Sequence, residues 1–254
     1  MATRRQLLFL AGGAALWVGG IRVVPNVLSR FSGFEFTPSN RVPGFGVLGS
    51  AGNRSALGGE FDVMVGLEPV DPLPSDVYAQ VEAAPTKALF GGIEGGGPPR
   101  VAYVFDYYCP YCRVLSEELT ELASTSEIAL VRHHWPIFGA PSELAARAVL
   151  AAERQGDAEV LHRRLLRTPV RVTPPYLEEL VADVGLSWAG ISRNLHAPSV
   201  TAALDRTEAL ARLFAFVGTP SLVIERTIVR SSMPKYRLRD LLRLERNMLS
   251  PGAV

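Results

Sequence analysis

Hydrophobic and polar positions change rhythm several times along the chain, and each change predicts an element. Val101 to Phe105 is an unbroken apolar run of strand length. After it, Tyr111, Leu115, Leu119 and Leu122 recur at helical spacing, with Cys109 where an N-cap falls and Pro110 at the first helical position. Glu127 to Arg132 reads as a second strand, left by His133-His134-Trp135-Pro136-Ile137-Phe138-Gly139 as a loop. Strand, helix and strand at this spacing predict a parallel pair with a helical crossover.

From Ser142 to about Phe216 the rhythm is helical throughout. Ser142 is placed as the cap of one helix, ended near Gly156, and Thr173 with Pro174 as the start of another, stopped by Gly185. A longer pattern runs through Val200, Leu204, Leu210 and Leu213. Gly218-Thr219-Pro220 then leads into Ser221 to Ile224, a strand-type run that Thr227 to Arg230 can meet as a hairpin. Tyr236 to Met248 closes as an amphipathic helix with a basic face, read as a solvated surface.

The two ends of the N-terminal third differ. Arg4 and Arg5 precede an apolar and small-residue run reaching Ile21, the pattern of an export signal, and Thr3-Arg4-Arg5-Gln6-Leu7-Leu8 resembles the twin-arginine motif. No Ala-x-Ala site follows, so residues 1–30 are expected as either a cleaved signal or a retained inner-membrane anchor. Residues 31–98 are rich in Gly, Pro, Ser and Asn, with short apolar runs such as Phe61 to Leu67, and are expected as an irregular extension carrying one or two strands and a short helix around Ser75 to Ala83 capped by Ser75. Gly91 to Pro99 marks the boundary before the main domain.

Composition narrows this further. The 254 residues are 48% hydrophobic, enough to bury a sizeable core, and the net charge of +1 offers no electrostatic basis for nucleic acid as a partner. Both cysteines lie in Cys109-Pro110-Tyr111-Cys112, so neither can staple distant parts of the chain. A thiol at a helix N-terminus faces unpaired N–H groups and the positive end of the dipole, which favour the thiolate. That is the physics of a redox dithiol, and export would place it in an oxidising compartment. A metal site is the competing reading, with His133 and His134 as further ligands, although zinc wants four and there is no second close cysteine pair. Without a metal, His133 and His134 read as strand-end residues, and His162 and His196 as helix-surface or partly buried ones.

Phe105-Asp106-Tyr107-Tyr108-Cys109-Pro110-Tyr111-Cys112, then Trp135-Pro136-Ile137-Phe138-Gly139, Ser142 with Ala145 and Ala146, and Gly218-Thr219-Pro220, in this order resemble the DsbA-type thioredoxin family. The resemblance implies an α/β thioredoxin fold over residues 99–140 and 217–254, interrupted by an inserted helical domain over 141–216. It implies an enzyme that makes, breaks or rearranges disulfides in exported proteins, periplasmic or otherwise extracytoplasmic, with no cofactor. Cys109 resembles the exposed attacking thiol, Cys112 the buried resolving thiol, and Thr219-Pro220 the loop whose cis proline lies against the dithiol. In that family the residue before the proline offers its backbone to an extended substrate peptide.

One position departs from the wider superfamily, where a buried acid often stands six residues before the first cysteine; here it is Tyr103. Asp106 is read as a strand-end residue making local hydrogen bonds. The resemblance favours a disulfide donor: lowering Cys109 to ~4 would stabilise the reduced pair at pH 7 by ~4 kcal/mol, about 90 mV of oxidising potential. A donor needs a quinone-linked membrane reoxidase as partner. Tyr111 and Thr219 also resemble the isomerase and reductase branch, whose members are kept reduced by a membrane reductase and usually dimerise through an N-terminal domain. A non-catalytic interaction or copper-delivery protein on the same fold is the remaining alternative.

Overall fold

The computed structural model describes residues 33–49, 73–153, 156, 158–168 and 170–249. The expected signal or anchor, the Phe61 to Leu67 run and the C-terminal tip lie outside them. Among the described residues no helix is long and apolar enough to cross a membrane.

The strands are β1 (Phe36–Pro38), β2 (Gly46–Leu48), β3 (Arg100–Phe105), β4 (Ala129–His134), β5 (Ser221–Ile224) and β6 (Thr227–Val229). They form a mixed sheet in the order β1-β2-β6-β5-β3-β4. β3 and β4 run parallel, in register Val104 to His133 and Phe105 to His134. The helix α3 (Pro110–Ser124) crosses between them. β5 returns antiparallel to β3 and turns tightly into β6. The helices α1 (Ser75–Ala83) and α2 (Pro85–Phe90) precede β3. The helices α4 (Ala140–Glu153), α5 (Ala158–Leu166), α6 (Pro174–Asp183), α7 (Trp188–Ser192) and α8 (Pro198–Leu213) lie between β4 and β5, and α9 (Lys235–Leu249) follows β6.

Strand alternation divides the core into two layers. Val101, Tyr103 and Phe105 of β3 pack with Leu115 and Leu119 of α3 and Leu238 and Leu241 of α9. Ala102 and Val104 face the other way, onto Leu89 and Phe90 of α2 and Leu210 and Phe214 at the end of α8. Because β3 is buried on both sides, its sequence reads as a continuous apolar run and not as an alternation.

Several expectations need correction. The extension expected over 31–98 packs onto the main sheet where described: β2 joins β6 in parallel, α1 and α2 pack on the sheet, and a second short helix, α2, follows the expected one. The one or two strands expected there are β1 and β2, whose three residues each are too short for a period to place them. His133 and His134 end β4, as the strand-end reading has it, so the loop begins only at Trp135, and His162 is buried on α5. Ser75 is the first helical residue, preceded by Pro74 at the cap, so it does not cap α1. Ser142 lies inside α4, where its hydroxyl donates to Asp106 Oδ1 at 2.8 Å instead of capping.

Candidate active site

β3 delivers Asp106 to Cys112 to the start of α3. Cys109 has extended backbone (φ −75°, ψ 116°) and is the N-cap of α3, with its sulfur accepting from the Cys112 N–H at 3.3 Å as a serine or aspartate oxygen would. Pro110 follows at the first helical position, where the absent N–H leaves no bond unmade. From 110 residues downstream the Thr219–Pro220 turn comes to the same point: the peptide bond is cis, and the Cys109 thiol donates to the Thr219 carbonyl at 3.3 Å. The structure therefore brings together all four residues expected at the site: Cys109, Cys112, Thr219 and Pro220.

One expectation fails here. Cys109 is 0% exposed, as is Cys112, although the first thiol was expected to be open to solvent. The Gly218 to Pro220 turn is itself buried and sets its carbonyl directly on the Cys109 sulfur, which closes the side the helix start leaves open.

The two thiols are driven apart in acidity. Cys109 is lowered from about 9 to about 7, first by the hydrogen bond from the Cys112 side chain, with help from Thr219 and the N–H groups of Cys112 and Tyr111, and against the effect of burial. Cys112 is pushed well up, chiefly by burial and then by Cys109. The Thr219 hydroxyl is buried without a well-formed hydrogen bond, yet it lies close enough to lower both thiols. Of the two, Cys109 is the thiol that ionises more readily.

Further side chains hold this frame. Asp106 accepts from the Tyr108 N–H at 2.7 Å, the Phe138 N–H at 3.2 Å and the Ser142 hydroxyl, tying the dithiol loop to the start of α4. The Tyr107 hydroxyl meets His162 Nδ1 at 2.9 Å, the Tyr108 hydroxyl accepts from the Val172 N–H at 2.7 Å, and Arg113 donates to the Thr168 carbonyl at 2.8 Å. These bonds fix the loop against α5 and the segment after it. Tyr103 stands beneath Cys112, with its hydroxyl donating to the Cys112 carbonyl at 2.9 Å and lying 3.0 Å from Ser116 Oγ. Ser116 left one trace in the sequence: it is a polar residue on the helix face that Cys112 and Leu119 also use.

The histidines do not converge on the sulfurs. His133 Nε2 bonds the Leu89 carbonyl at 2.8 Å on one face of the sheet, while His134 packs against Phe105 on the other. Among the described residues no three His, Cys, Asp or Glu side chains are grouped as a metal site requires.

The comparisons agree with this geometry. A search of the curated proteins finds no match. Among solved structures, a thioredoxin-like oxidoreductase from Silicibacter pomeroyi DSS-3 is 34% identical, covers 63% of this chain and 96% of its own, and superposes with a TM-score of 0.59. The thiol-disulfide exchange protein alpha-DsbA2 from Wolbachia pipientis shares the fold at 17% identity, over 66% of this chain and 95% of its own, with a TM-score of 0.58. So does a periplasmic thioredoxin-like protein from Salmonella enterica serovar Typhimurium, at 24% identity over 63% and 94% with a TM-score of 0.55. The family profile of the DSBA-like thioredoxin domain matches residues 100–242, more than half of the chain and the whole stretch from β3 into α9. With a thioredoxin-like fold, a Cys-x-x-C at a helix start and a threonine-proline turn against it, this chain belongs to the DSBA-like thioredoxin domain family and is a thiol-disulfide oxidoreductase.

Proposed function

We propose that this protein exchanges disulfides with exported protein substrates through Cys109 and Cys112, with Cys109 as the attacking thiolate. The observation that carries the reading is the Cys109 sulfur held at the tip of α3 against the Thr219 carbonyl. An extended peptide pairing with the backbone at Thr219 would place its own sulfur beside Cys109. In the forward step the Cys109 thiolate attacks a substrate disulfide, one substrate sulfur leaves as a thiolate, and a mixed disulfide remains. Cys112 then closes on Cys109 and releases the second substrate thiol.

The acidity of Cys109 bears on direction. A thiol at about 7 is half ionised at pH 7. That stabilises the reduced pair only slightly, against the ~4 kcal/mol, or ~90 mV, that a strong disulfide donor would draw from a thiol near ~4. A thiol whose pKa matches the ambient pH is instead the better nucleophile. This modest lowering of Cys109 supports the isomerase and reductase direction against the donor direction that the family resemblance favours. A membrane reductase that keeps the pair reduced is then the required partner, in place of a quinone-linked reoxidase.

Export is supported by Arg4 and Arg5 ahead of the apolar run, with the twin-arginine route and an inner-membrane anchor as its specific forms. The division into a thioredoxin-like part over 99–140 and 217–254 and a helical insertion over 141–216 is supported by α4 to α8 lying between β4 and β5. Residues 33–49 and 73–98 extend the first part.

Equilibration with glutathione and refolding of a scrambled-disulfide substrate test the direction together. The expected result is a potential nearer thioredoxin's (about −270 mV) than that of a strong oxidase (about −120 mV), with recovery of the scrambled substrate. A potential near the oxidase value, with rapid oxidation of reduced substrate and no unscrambling, would restore the donor reading.

A further inference from the structure

Tyr103 and Ser116 put two neutral hydroxyls at the base of the resolving cysteine, in an otherwise apolar layer. Tyr103 is 0% exposed and Ser116 1%. The Tyr103 ring is fixed by stacking on Phe105, centroids 5.1 Å apart and planes at 16°. Its oxygen is 2.9 Å from the Cys112 carbonyl and 3.0 Å from Ser116 Oγ, and across the second contact either group can donate. Burying such a pair is unfavourable compared with apolar side chains of the same shape, so a use for it is to be sought.

Cys112 supplies the use. It must ionise in order to attack, and its surroundings resist ionisation because burial disfavours the thiolate. The charge on Cys112 is also the strongest charge acting on the Tyr103 phenol. With Ser116 donating to the Tyr103 oxygen, the phenol proton is directed towards Cys112, whose carbonyl accepts it while the thiol is neutral and whose side chain also interacts with the phenol. We propose that Tyr103, backed by Ser116, is the hydrogen-bond donor that steadies the Cys112 thiolate as it closes on the mixed disulfide. This rests on the reading of Cys109 as attacking and Cys112 as resolving thiol.

The step balances without a further reagent. Cys112 gives up its proton to water and the lone pair of its thiolate forms the bond to Cys109 Sγ; the bond from Cys109 to the substrate sulfur breaks, and the substrate sulfur leaves as a thiolate that takes its proton, where it needs one, from water. The protein dithiol is oxidised by two electrons and the substrate is reduced. Tyr103 returns its hydrogen bond to the Cys112 carbonyl and ends unchanged. Since neither hydroxyl ionises in the working range, the closing step should follow the single ionisation of Cys112.

The test uses the full chain, reduced, with a chromogenic aromatic disulfide that releases one coloured thiolate when Cys109 attacks and another when Cys112 closes. With Tyr103→Phe the first release stays within about two-fold of the parent, while the second slows about ten-fold at pH 7 and its pH midpoint rises by about one pH unit, as loss of a hydrogen bond to a charged group dictates. Ser116→Ala moves the second release and its midpoint the same way, by about three-fold in rate. The proposal is overturned if both variants keep the parent's second release and midpoint, or if both releases slow together. Should Tyr103→Phe fail to fold, Ser116→Ala decides on the same two readings. A parent that gives no first release, or a Cys109→Ser variant that still gives it, would overturn the functional reading instead.

Discussion

Asp106 and Ser142 are joined by a hydrogen bond of 2.8 Å, across 36 residues, and through it the dithiol loop is tied to α4. The same carboxylate holds the N–H groups of Tyr108 and Phe138. Asp106→Ala strands three donors in a site where Asp106 is 2% exposed. At 1 to 3 kcal/mol per stranded group, partly relieved by relaxation, a loss of about 3 kcal/mol is expected. Asp106→Asn, which keeps an acceptor oxygen, should cost less than half as much. Denaturant melts of the two variants measure this, and equal losses would contradict it.

Cys109 should show a thiolate absorbance near 240 nm that titrates with a midpoint about 7, and Cys109→Ser should lack it. Alkylation at pH 6 should then label Cys109 well before Cys112, whose thiol is pushed well up by burial. Labelling of both at one rate would contradict the division of roles.

Glu245 is 4% exposed, shares a short hydrogen bond with Thr227, and is raised to about 7 by burial, with Glu225 adding to the effect. A folded-state value above the unfolded one stabilises at low pH: the contribution is complete below about 4.5 and is lost as pH rises through 7. Glu245→Gln should therefore melt higher than the parent at pH 8 by up to about 3 kcal/mol of stability, with the gain fading by pH 5. A constant difference across that range would show that titration is not involved.

His133, His134 and His162 act in the opposite sense. Burial lowers all three, His133 to about 4 and His134 to about 3, so they remain neutral in the fold while the unfolded chain protonates. Their contribution is complete above about 6.5 and is lost as pH falls, by about 2 kcal/mol each at pH 5. His133→Gln, which can still donate to the Leu89 carbonyl, should flatten the fall in melting temperature between pH 6.5 and 5 relative to the parent. An unchanged slope would count against burial of a neutral His133.

Much of the local structure was legible in the sequence, and the reasons are local. Continuous apolar residues marked β3 and β5, leucines at helical spacing marked α3 and α9, and a cysteine followed by proline marked the start of α3. Elements without such a signal were missed, misplaced or expected without a position. β1 and β2 are three residues each, α5 interrupts its leucines with His162, Arg163 and Arg164, and the His133-His134 pair reads as polar although it lies in β4.

By itself the sequence determined that two thiols stand at a helix start after a strand, because capping and hydrophobic spacing act over a few residues and leave their mark there. Only the tertiary structure decided that the Thr219 carbonyl covers Cys109, that Tyr103 and Ser116 lie beneath Cys112, and that Asp106 reaches Ser142. Those contacts join residues far apart in the chain, and they set the burial and hydrogen bonding that separate the acidities of the two sulfurs.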